Sequence, residues 1–288
     1  MRLAEKIHQI CFLILGIFIL FSCTERIDIP LDTSFTRLVV EGGITTDTMA
    51  HQVRLARTAA YFNAAAPLPV LGAQVYITDS IQQFQLTENP DKPGLYETNS
   101  NVFGLPGHTY TLHILNVDIN NDGKMEEFSA SSFLAALHPP DSIKVNYVSR
   151  FYQNVWEVKF YGQDPEDQRN FYLFKVRRNG RLITDTLRGM RVSSDEYYNG
   201  AYIKGEPIAI LRQGRANEKL NSGDTVTLET YSITEGYYNF ILDVYMESNG
   251  SDPFGGQPAN ISTNMSGKAI GYFTAMAVAR NSYIWKQK

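Results

Sequence analysis

Ala73-Gln74-Val75-Tyr76-Ile77-Thr78, Asp79-Ser80-Ile81-Gln82, Gln83-Phe84-Gln85-Leu86-Thr87: this stretch decides the fold class. Ala73, Val75 and Ile77 alternate with Gln74, Tyr76 and Thr78. Phe84 and Leu86 alternate with Gln83, Gln85 and Thr87. A two-residue period puts apolar side chains on one face of an extended chain, and Asp79-Ser80 is turn chemistry between two such runs. The reading is a hairpin with one face in a core.

The same pattern continues outward. Leu38-Val39-Val40 opens it, and Tyr110, Leu112 and Ile114 alternate with Thr111 and His113. Asn89-Pro90-Asp91 and Leu105-Pro106-Gly107 punctuate the runs. Short strands at this spacing predict an antiparallel sandwich of immunoglobulin-like type over residues 36–138. His138-Pro139-Pro140-Asp141 reads as a boundary, because two prolines cannot sit in a central strand. Strand patterns then resume in Ile143, Val145 and Tyr147 and in Trp156, Val158 and Phe160. Phe171–Arg178 and Arg181-Leu182-Ile183 flank Asn179-Gly180, the pair that suits a type I′ hairpin turn. Thr225 to Ile233 and Gly271 to Ala279 are further strands. Thr234 is a cap for one short helix, about 234–247, with Tyr237, Ile241, Val244 and Tyr245 on one face. The expectation is a mainly β protein of two antiparallel sandwich units, 36–138 and 141–288, with that one helix.

Composition agrees. Of 288 residues, 43% are hydrophobic and 19% charged, too apolar for a disordered chain. The net charge is −4 and there is no Lys/Arg-rich run, which argues against a nucleic-acid groove.

The N-terminus carries an address. Arg2 and Lys6 precede an uncharged apolar run from Ile10 to Phe21, the length of a signal peptide and too short to span a bilayer. The run ends in Leu20-Phe21-Ser22-Cys23, which resembles a bacterial lipobox, with Phe21 bulkier than usual. Residues 1–22 are then a signal peptide, Cys23 the lipidated N-terminus and 23–35 a polar tether. Cys11 lies in the removed segment, so the mature chain has a single cysteine and no internal disulfide. The covalent lipid on Cys23 is the one attached group expected, and the membrane the first partner.

Catalytic motifs are missing: no Gly-x-Ser-x-Gly, no His-Glu-x-x-His, no phosphate loop. His51, His108, His113 and His138 have no metal-ligand spacing, and His113 alternates as a solvent-facing strand residue. Asp118, Asn120 and Asp122 with Gly123 look like the start of a calcium loop, but the twelfth position is Ser129. A polar hairpin tip is the reading preferred, and no metal is expected. Asp164-Pro165-Glu166-Asp167, the densest acidic cluster, reads as a solvated turn. A carboxylate pair set only by three-dimensional distance would leave no motif.

Two loops have binding chemistry. Tyr197, Tyr198, Asn199 and Tyr202 form an aromatic, polar segment suited to sugars or a protein partner, and equally able to cover the end of a sandwich. Phe254, Asn260 and Asn264 lie on a Gly- and Asn-rich loop, where an exposed Phe would mark a contact and a buried one would pin the loop.

Several segments together resemble a family of Bacteroidota lipoproteins known as domain of unknown function 4249. They are Leu38–Gly42, Pro69–Val75, Gly94-Leu95-Tyr96, Gly104–Tyr110, Asp195 with Tyr198-Asn199-Gly200, Asp252-Pro253-Phe254, Asn260–Asn264 and Gly271-Tyr272-Phe273. The resemblance implies an outer-membrane lipoprotein, often encoded beside TonB-dependent receptors, and brings no catalytic residue. The expectation is a lipid-anchored accessory protein, not an enzyme, that binds a TonB-dependent transporter or its cargo. An envelope hydrolase and a structural or adhesive surface protein are the alternatives.

Overall fold

The computed structural model describes residues 36–58, 67–150, 153–166, 168–184, 190–249 and 261–287. Cys23 with the signal peptide and tether, Phe254 and Asn260 lie outside them. Thr36–Lys288 is one compact unit, and it is mainly β.

Residues 74–88 form the expected hairpin, Val75–Thr78 pairing antiparallel with Gln83–Leu86. β1 (Leu38–Thr45), β2 (Gln52–Arg57), β3 (Leu68–Pro69), β4 (Gln74–Thr78), β5 (Gln83–Glu88), β6 (Leu95–Glu97), β7 (Thr109–Val117) and β8 (Glu126–Phe133) precede the two prolines. Val75 and Ile77 of β4 and Leu112 and Ile114 of β7 are fully buried, while their neighbours face outward or lie half-buried. Each such side chain stabilises the fold by roughly 1.5–3 kcal/mol relative to water.

The rest of the chain gives β9 (Ser142–Arg150), β10 (Gln153–Gln163), β11 (Phe171–Arg178), β12 (Arg181–Leu182), β13 (Arg191–Ser194), β14 (Tyr202–Arg212), β15 (Thr225–Ser232), α1 (Glu235–Asn249), β16 (Ile270–Met276) and β17 (Val278–Ile284). The β11–β12 turn has Asn179 at φ 49° and Gly180 at φ 80°, both left-handed as a type I′ turn requires. Thr234 caps α1: its Oγ1 accepts the Tyr237 N–H at 3.2 Å.

The described residues form three sheets. The largest runs β16-β1-β2-β6-β5-β4-β7-β8, with β3 beside β2. It curls until its two edges nearly meet, through an Ala130–Met265 bridge and Ser266 N–H to Ser129 O at 2.8 Å. The sequence reading here is an antiparallel immunoglobulin-like sandwich, and the near closure of this sheet is the difference. It hides edge amides that an open sheet would expose. The other sheets are β14-β10-β9 and β12-β11-β15-β17, with β13 on β11. Ile143, Val145, Trp156, Val158 and Leu211 of the former share one core with Phe174, Val176, Val226 and Leu228 of the latter.

The expected last strand, Gly271–Ala279, is two strands in two sheets. β16 lies parallel to β1, and β17 lies antiparallel to β15. The chain crosses at Ala277, whose N–H is held by Ser232 Oγ at 3.1 Å and whose carbonyl accepts the Ser232 N–H at 3.0 Å. Gly271 (φ 100°) makes the parallel pairing feasible, since a Cβ there would collide with the Val40 carbonyl oxygen. The proline boundary is packed against the body: Pro140 is buried and its carbonyl accepts from Asn281 Nδ2 at 3.0 Å.

Candidate functional site

A cleft of about 400 Å³ opens on the first sheet system, where the β4–β5 turn faces the loop between β6 and β7. Gln82, Gln83, Phe84 and Gln85 line one side, and Asn99, Asn101, Val102, Phe103 and Leu105 the other. Asp79 and Tyr110 complete it. Phe84 packs against the core, whereas Phe103 is 46% exposed.

Backbone hydrogen bonds and the side chains of Asp79, His108 and Tyr110 hold this geometry. Asp79 Oδ1 accepts the N–H groups of Ile81 at 2.9 Å and Gln82 at 2.7 Å, which closes the turn. Its Oδ2 lies 3.1 Å from His108 Nδ1, joining the turn to the opposite loop. Burial pushes the Asp79 carboxyl up, but these hydrogen bonds outweigh it and the net displacement is downward. Tyr110 OH accepts the Leu105 N–H at 2.7 Å, and Gly104 N–H donates to Thr45 O at 2.8 Å. Gln85 spends its amide on Val75 O and Leu86 O. Gln82, Gln83, Asn99 and Asn101 have no side-chain hydrogen bond to the described residues. They were legible in the sequence only as strand and loop polar residues. The signal was there in two runs that mix amides with an aromatic, Gln82–Gln85 and Asn99–Phe103.

The tyrosine loop is elsewhere, between β13 and β14. Tyr197 is 86% exposed, and Asn199 and Tyr202 are also exposed. Tyr198, 37% exposed, also borders a small cavity of about 40 Å³, with His138, Phe160, Asp164, Tyr172, Phe174 and Asp195. That is room for a water or two, not for a sugar ring. Asp164 reads in the sequence as part of a solvated turn, but it is 2% exposed. Its Oδ1 accepts the Tyr172 O–H at 2.8 Å. Burial pushes its carboxyl up, and the Asp195 charge adds to that. Asp195 is also buried. Its Oδ2 takes the Asn170 N–H at 2.7 Å, while its Oδ1 has no hydrogen-bond partner among the described residues. The Tyr172 phenol is held well above its usual range by burial and by the Asp164 carboxylate.

The remaining named residues serve the scaffold. Asp118 Oδ1 and Oδ2 accept the N–H groups of Asp122 and Gly123 at 3.0 and 2.9 Å, tying the β7–β8 tip, where Asn120 is exposed. Among the described residues no group of three or more His, Cys, Asp or Glu side chains could hold a metal ion. Asn264 grips both edges of the nearly closed sheet. Its Nδ2 donates to Ser131 O and Phe273 O, and its Oδ1 accepts the Phe273 N–H. Its amide is thus spent on backbone. His113 is half-buried, stacked on Tyr76 with ring centres 4.7 Å apart.

Compared with known families, residues 24–282 match the one described as "Domain of unknown function (DUF4249)". None of the curated proteins matches the chain. The matched span runs through the two prolines without a break, as does the compact unit.

Proposed function

The chain belongs to the DUF4249 family, and on that premise we propose that it is a lipid-anchored binding protein of the outer membrane, an accessory to a TonB-dependent transporter or a binder of its cargo. The observation that supports a binding role is the cleft between the β4–β5 turn and the Asn99–Leu105 loop. It is roomy, braced on both sides, and lined by amides and aromatics, with Asp79, the one carboxylate among the described lining residues, already bonded to the scaffold. Groups of that kind hold a ligand without transforming it. The lipid on Cys23 confines the body near membrane partners, which raises their effective concentration, so even a weak interface is occupied.

The second half of the chain is read as an immunoglobulin-like sandwich, on the ground that its two sheets share a core. No nucleic acid is a partner in this reading, and none of its steps is catalytic.

The test is affinity purification of the tagged full-length chain from gently solubilised outer membranes, with Cys23→Ala as control. A stoichiometric TonB-dependent receptor, depleted in the control, is the expected result. Recovery of the lipoprotein alone would remove the transporter from the proposal.

A further inference from the structure

We propose that the cleft between the β4–β5 turn and the Asn99–Leu105 loop takes a neutral carbohydrate. This rests on the binding role proposed above and names its ligand class.

Charge is the first discriminator. Among the described residues no Lys or Arg lines the cleft, so no cationic side chain there favours an anion. Asp79, the single carboxylate among the described lining residues, already accepts two backbone N–H groups and faces His108, so it is not free to recruit a cation. Its side chain is 4% exposed. The ligand that fits is uncharged.

Hydrogen-bonding capacity is the second. Gln82, Gln83, Asn99 and Asn101 each offer a donor and an acceptor not engaged by the described residues. A sugar hydroxyl is both donor and acceptor, and adjacent ring hydroxyls lie close enough to be bridged by one amide. An apolar ligand would leave these amides unpaired, at a cost for each.

Shape is the third. Phe103 presents an exposed ring and Phe84 a half-buried one in the same cleft. A pyranose has a face of C–H groups that packs on a flat aromatic ring while its hydroxyls point outward to the amides. The volume of about 400 Å³ lies within the roughly 300–1,000 Å³ of small-ligand sites and suits a short stretch of a glycan. The loop is fixed before a ligand arrives: Met49 N–H holds Val102 O at 3.1 Å, and Tyr110 OH holds the Leu105 N–H. Less ordering entropy is then lost on binding.

The experiment is titration calorimetry on the full-length lipoprotein in a detergent without a sugar headgroup. The probes are maltohexaose, cellohexaose, mannohexaose and xylohexaose, with a neutral Gly/Ser hexapeptide alongside. At least one hexasaccharide is expected to bind. Phe103→Ala and Asn101→Ala should each weaken it about tenfold or more without moving the melting temperature, and Tyr197→Ala should leave it unchanged. Both cleft side chains are exposed, so neither substitution threatens folding.

Three results would overturn the proposal: no hexasaccharide binding at about 10 mM, binding that survives the Phe103→Ala/Asn101→Ala double variant, or binding of the peptide alone. Receptor co-purification is read separately. A retained receptor with no sugar binding would remove the carbohydrate and leave the accessory role. Sugar binding without a receptor would do the reverse.

Discussion

The two halves of the body bury different chemistry. The nearly closed sheet, β1–β8 with β16, is filled by aliphatic and aromatic side chains such as Leu38, Val40, Ile77, Leu112 and Phe273. Beyond the two prolines, Glu157, Asp164, Asp195, Glu218 and Glu229 are all buried. Glu229 is the clearest case. It sits on β15, is 1% exposed, and receives Arg177 at 3.0 Å, Arg280 at 2.8 Å and the Tyr231 O–H at 3.0 Å. The first core asks nothing of charge, whereas the second adds to its own apolar cluster buried carboxylates that favour the fold only where, as at Glu229, they keep their partners. The open cleft, whose Asp79 carboxylate is tied to the scaffold, belongs to the first half, and the tight acidic cavity to the second.

The largest test of this contrast falls where the halves are joined. Phe273 is fully buried in β16, one crossing away from β17. Phe273→Ala should cost about 3–5 kcal/mol, seen as a lower urea midpoint. The loss should appear equally in tryptophan fluorescence, which reports Trp156 and Trp285 in the second half, and in amide exchange at Leu112 in the first. Loss confined to the first half would make the halves separate folding units.

Glu229→Ala comes next, at about 2 kcal/mol. This is less than for a fully enclosed pair, because both guanidiniums remain partly in water. Thr234→Ala should remove about 1 kcal/mol by leaving the α1 N-terminus uncapped. Chemical denaturation measures both.

Smallest in size, but most telling in sign, is the response to pH. The folded-state pKa of Asp79 is depressed, so its contribution to stability is present above the ordinary carboxylate value of 3.8 and is lost as pH falls. Asp164 is displaced upward. Its favourable contribution is present below that value and is lost as pH rises through its folded pKa. At neutral pH, Asp79→Asn should therefore lower the melting temperature and Asp164→Asn should raise it. Both differences should shrink as the buffer is taken below the ordinary carboxylate range. Equal signs at pH 7 would dissolve the contrast. His51 adds to acid sensitivity. Burial holds its pKa below 6.5, so stability begins to fall as pH drops under that value.

The first half was the more legible in sequence for the same reason. Where one face is aliphatic and the other polar, as in β4, β5 and β7, alternation is visible residue by residue. The Asn179-Gly180 turn and the Thr234 cap were equally readable, because their chemistry is local. Buried Glu157 and Glu229 break the pattern in β10 and β15, where a charged residue reads as outward-facing. The pairing of β1 with β16 joins opposite ends of the chain and leaves no local mark, so Gly271–Ala279 read as one strand. The cleft shared that fate. Gln82–Gln85 and Asn99–Phe103 are unremarkable until the sheet brings them face to face, while the tyrosine loop announces itself by composition alone.

That last difference sets the measurement that matters most: hydrogen exchange along the full-length chain, with and without the hexasaccharide probes. Protection of residues 82–85 and 99–105, with no change at 195–202, is the predicted result. Protection at 195–202 with an unchanged cleft, or protection at neither, would contradict the assignment of the cleft as the binding site.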